Sequence, residues 1–151
     1  MKKPHSLCSK INGLGLVFLA GATGALLRHL ITVGFYSRGI DKLFITLGVN
    51  LVAGLIAGFL ITINANGLVS KLLKKYETVV IGGFLGGFST VAAVSWMNYE
   101  LLSNAQLLLA VVFLFCNYFG AFFFGKLGQL LADVLVKHKV TTPELRADDN
   151  N

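Results

Sequence analysis

The chain offers few groups that could do chemistry. Ser89 and Thr90 stand side by side in GGFLGGFSTVAAVS, residues 82–95, while single amides occur at Asn50 in ITLGVNLVAGLIAG and at Asn117 in NYFGAFFFG. All four lie in otherwise apolar sequence. A hydroxyl or amide removed from water must find a partner, so each wants a hydrogen bond or an ion. Hydroxyl and amide hydrogens are donors, which suit a small anion. The glycines before Ser89 suggest backbone carbonyls as well, which suit a cation. His5, His29 and His138 have no acid or nucleophile at catalytic spacing, so an enzyme is not expected.

The elements that must position these groups follow from composition. Of 151 residues, 55% are hydrophobic and 13% charged, with a mean hydropathy of +0.73. That is too apolar for a domain with a water-facing surface. A crossing needs about 20 apolar residues, and four stretches qualify: about 11–30, 44–63, 78–99 and 105–131. The alternation of a membrane barrel strand is absent. The fold expected is therefore an all-α membrane protein, one domain over 1–151, with four transmembrane helices and tails at 1–10 and 137–151. A cleaved leader is the other reading of MKKPHSLCSK and the run after it, but Arg28 stands where a small-residue cleavage site belongs.

The net charge of +6 is mainly an orientation signal, not a nucleic-acid footprint. Lys2, Lys3, Lys10, Lys71, Lys74, Lys75, Lys137, Lys139 and Arg146 fall on the side shared by both tails and the second loop. Arg28, Arg38 and Lys42 fall on the other. The positive-inside rule then puts both termini in the cytoplasm of a multi-pass cell-membrane protein. Cys8, in the leader, and Cys116, within the fourth span, are poorly placed to form a disulfide.

The third span centres near Ser89, and Gly82, Gly83, Gly86 and Gly87 run into its middle. Two readings stay open on the pattern alone. Spacing of four, at 82/86 and at 83/87, suits close helix packing. The same glycines also suit a helix broken at the bilayer midplane, whose loosened carbonyls meet an ion. None of the four spans contains Asp or Glu, so a proton-coupled carrier or small multidrug-type exporter lacks its carboxylate.

GATGALLR, ITLGVN, GFLGGFSTVAAVS and NYFGA, in this order between about residues 14 and 131, resemble the four span motifs of the Fluc/CrcB fluoride channels. The resemblance implies an antiparallel dimer with a structural Na⁺ at the midplane, held by backbone carbonyls of the broken third helices, and fluoride passing beside it. By position, Gly86 and Ser89 match the sodium carbonyls, and Asn50 matches the pore asparagine. Thr90 and Ser95 match hydroxyls of the polar track, and Arg28 matches an arginine near a vestibule. Asn117 opens the fourth motif. Fluoride would leave passively, lowering its cytoplasmic level.

Departures from the pattern matter. The two pore phenylalanines fall at Val91 and Val94, and the Ser and Thr between them have become Ala92 and Ala93. Valine has no ring edge to offer an anion. A fixed orientation and an eroded third-span face favour a heterodimer with a paralogous subunit over a homodimer. In such a pair this chain is a half-active or non-conducting partner.

Overall fold

A computed structural model describes the backbone of residues 6–67 and 76–148 and the side chains of 13–67 and 76–137. The charge assignments for Lys2, Lys3, Lys10, Lys71, Lys74, Lys75, Lys139 and Arg146, the placement of Cys8, and most of both predicted tails lie outside the described side chains. Among the described residues every regular element is helical: α1 (Ser6–Tyr36), α2 (Lys42–Ala65), α3 (a π-helical stretch Thr78–Leu85 continued by one α turn, Gly86–Phe88), α4 (Val91–Ser103) and α5 (Leu107–Asp148). Four helical stretches are long and apolar enough to cross a membrane, the third being α3 and α4 together. They are Gly13–Tyr36, Lys42–Ala65, Thr78–Ser103 and Leu107–Lys137, each ending two to six residues beyond the limit expected.

Local chemistry sets the turns. Asp41 caps α2, its carboxylate accepting from the Leu43 amide at 2.8 Å. The chain leaves α1 through Gly39, at φ +84°, where the left-handed conformation costs glycine nothing. After α4 the same turn is made by Ala105, at φ 57°. There the Gln106 amide reaches back to the Leu101 carbonyl at 2.9 Å and the Ala105 amide to Leu102 at 3.0 Å.

Packing divides the helices into two close pairs. α5 lies along α2, and α1 lies along α3. Glycine makes both approaches feasible. A Cβ on Gly54 would sit 2.6 Å from the Ala121 carbonyl oxygen, and one on Gly58 would overlap the Gly125 carbonyl outright. Across the other seam, Gly24 meets the Phe84 carbonyl, Gly87 meets the Gly21 carbonyl, and a Cβ on Gly83 would be 2.8 Å from the Val17 carbonyl oxygen. The first span therefore packs through Gly21 and Gly24. With lipid as solvent, such backbone contact supplies the dispersion energy that water would otherwise drive.

Two apolar clusters lock the pairs together. Ile45, Val49, Ala53 and Phe88 form one, with Ile31 against it; Val94, Leu101, Ala110 and Phe113 form the other. Outside them the bundle is greasy: Leu14, Phe18, Phe122 and Leu130 are among many large exposed apolar side chains, as lipid contact requires.

Candidate ion site and pathway

The third span does break, and not at a glycine. Ser89 (φ −81°, ψ 143°) and Thr90 (φ −146°, ψ 121°) are both extended, separating the Gly86–Phe88 turn from α4. Tyr99, tilted against Trp96 near the end of α4 where interfacial aromatics belong, lies nine residues past Thr90. That is about 14 Å of helix, close to half of a ~30 Å hydrocarbon layer. The break thus falls at the depth expected of the midplane.

Several groups at the break have an identifiable partner. The Ser89 amide and its hydroxyl both donate to the Leu85 carbonyl, at 2.8 and 2.9 Å. The Thr90 amide, which would have bonded the Gly86 carbonyl in a continuous helix, donates instead to Asn50 Oδ1 at 3.2 Å. Thr90 Oγ1 caps α4 by accepting from the Ala93 amide at 3.4 Å. Gly86 therefore keeps a carbonyl without its helical donor, and the Ser89 carbonyl has left the ladder altogether.

Behind Asn50 stands a second amide. Asn50 Nδ2 donates to Asn117 Oδ1 at 2.9 Å, and Asn117 Nδ2 donates to the Phe113 carbonyl at 2.9 Å. Asn117 is only 4% exposed, so this pairing is what makes its burial tolerable. The relay runs from α5 through α2 to the break.

These groups border one cleft of about 460 Å³, open on one side. Gly86, Ser89, Thr90, Val91, Val94, Asn50 and Asn117 all line it. Val91 is 63% exposed, whereas Val94, at 3%, presents only an edge and packs against Leu101, Ala110 and Phe113. Ser95 is exposed and does not border the cleft, and Arg28 does not either. Arg28 is half-buried, and its Nε has no hydrogen-bond partner among the described residues. Ala53, Gly54, Ala57, Ile81, Leu85, Tyr118 and Ala121 complete the walls. Several of these could have been found in advance: 50, 54 and 57 lie on one helical face, and 117 and 121 lie on another.

The four glycines divide between two faces. Gly83 and Gly87 are pressed on α1, whereas beside Gly86 a Cβ would meet nothing nearer than the Ile81 carbonyl at 4.0 Å. Gly82 is similarly open, 3.7 Å from a Thr78 methyl.

Comparison with known proteins agrees with this geometry. The family described as "CrcB-like protein, Camphor Resistance (CrcB)" matches residues 15–129. A protein of Campylobacter fetus subsp. fetus named "Fluoride-specific ion channel FluC" is 38% identical over 112 residues, covering 66% of this chain and 84% of its own. Proteins with the same name from Campylobacter jejuni subsp. jejuni (33% over 124 residues, 80% of this chain and 98% of the relative) and Thermus thermophilus (31% over 122 residues, 80% and 95%) are also similar. An all-helical, four-span, multi-pass membrane protein whose motifs meet at one interrupted helix, the chain belongs to the CrcB family.

Proposed function

We propose that this chain is a subunit of a fluoride-specific ion channel that lets fluoride leave the cytoplasm passively. The observation that carries the reading is the amide relay ending at the broken third helix, on the wall of an open cleft, in a chain of this family. A small anion crossing hydrocarbon must trade water for fixed donors. Asn50 and Thr90 offer such donors, with Val91 and the edge of Val94 beside them. Ser95 and Arg28, off this cleft, would act at its approaches.

A structural Na⁺ suits the carbonyls of Gly86 and Ser89. Both residues line the cleft, neither carbonyl has its helical donor, and the space beside Gly86 is open. Two oxygens are an incomplete shell for a desolvated cation, and an oppositely inserted second subunit would double the set. The bound ion would neutralise the carbonyl ends of the two broken helices.

The second subunit in this reading is a paralogue with its termini on the far side. The loop-charge bias supports a fixed insertion with both termini of this chain cytoplasmic. Val91, Ala92, Ala93 and Val94 in place of aromatic and hydroxyl residues support a pair in which the conducting face comes mainly from the partner. The test is fluoride efflux from liposomes holding this chain alone or with a paralogue. Efflux selective for fluoride over chloride is expected from the pair, and little from the lone chain. No efflux above protein-free liposomes in either case would overturn the channel reading; strong efflux from the lone chain would overturn only the heterodimer. Val91→Phe should raise flux in the pair, since its side chain stands open. Val94→Phe should cost about 1–3 kcal/mol of stability by overpacking.

A further inference from the structure

The relay has a sense of direction that the chemistry of its two ends fixes. A backbone amide can only donate, so the atom of Asn50 that faces the Thr90 N–H is its oxygen. Its nitrogen then faces Asn117, whose oxygen must receive it, and the Asn117 nitrogen is left for the Phe113 carbonyl, which can only accept. No member can flip without setting donor against donor or oxygen against oxygen. Asn117 anchors this order in α5, the helix held closely along α2 by a glycine seam.

We propose that Asn117 is a positioning residue for the ion pathway. Acting through Asn50, it keeps the Thr90 amide out of the helix ladder and keeps the Asn50 nitrogen on the side away from Thr90. The idea rests on the channel reading for its effect on flux, but its effect on the break stands independently. An oxygen at position 117 is the part that matters, because it is what Asn50 donates to; the bond to Phe113 only orients it.

The test compares Asn117→Leu, which has similar size and no acceptor, with Asn117→Asp, which keeps an oxygen for Asn50 in either protonation state. Each is made in the full chain, in the assembly that gives efflux. Hydrogen–deuterium exchange of the segment 86–95 and fluoride efflux are measured, with helix content as a control. In Asn117→Leu, exchange should speed up and efflux fall by about three- to tenfold, the range for one buried hydrogen bond. In Asn117→Asp, protection should stay near the wild-type level, since the buried acid in its neutral form accepts from Asn50 and donates to the Phe113 carbonyl. If the leucine variant does not fold, Asn117→Ala takes its place. Wild-type protection and efflux in the acceptor-less variant would overturn the proposal, as would an Asp variant as unprotected as Leu. Absence of wild-type efflux would remove the channel reading and leave the exchange comparison to decide.

Discussion

The second and third spans are both rich in glycine, yet one is continuous and the other is cut in two. α2 carries Gly54 and Gly58 against Ala121 and Gly125 and never leaves the helix. The third span carries Gly83 and Gly87 against α1 in the same manner, and then breaks two residues later, at Ser89 and Thr90. Glycine is thus not the cause of the break. It brings backbones together in both spans, whereas the interruption depends on an outside acceptor, Asn50 Oδ1, and on a capping hydroxyl, Thr90 Oγ1. A helix opens in lipid where something else takes its amides.

The seams should give the largest effects. Gly58→Ala and Gly87→Ala each place a methyl inside a neighbouring carbonyl, and the helices must part. We expect a loss of about 1–3 kcal/mol or more, seen as aggregation or a lower midpoint on heating in detergent. If Gly87→Ala were harmless, the two seams would not be equivalent. Asn50→Leu comes next, leaving the Thr90 amide and the Asn117 oxygen both unpaired. It should cost about 1–3 kcal/mol and lower the exchange protection of 86–95, while an equivalent change away from the break would leave that segment alone. Thr90→Val removes only a cap held at a long 3.4 Å, worth about 0.5–1 kcal/mol, and should fray the start of α4. The smallest effect belongs to Gly86→Ala. It adds a methyl in open space and retains the carbonyl, so thermal stability should change by less than about 1 kcal/mol.

Much of this was readable in the sequence, and what was not had a physical cause. Four apolar stretches free of acid predict four crossings, while the pattern around Ser89 leaves packing and interruption both open and only the resemblance points to a broken third helix. The exact residues at the break were not legible, because Ser89 and Thr90 have no special backbone preference; their conformation is imposed by Asn50, forty positions away from Thr90. The link between Asn50 and Asn117 was equally hidden. Each amide announced a need for a partner, but only tertiary packing makes them each other's. Val94 shows the converse: motif position places it on a pathway, and packing with Phe113 and Leu101 makes it mostly core.

Among the described residues, Tyr118 excepted, no side chain that lines the cleft bears an ionisable group. Amides and hydroxyls present the same face to a visitor in mildly acid surroundings as in neutral ones. Fluoride enters a cell most readily when the outside is sour, travelling in as its uncharged acid. A way out whose walls neither gain nor lose protons would keep its grip on the anion unchanged when the environment turns hostile.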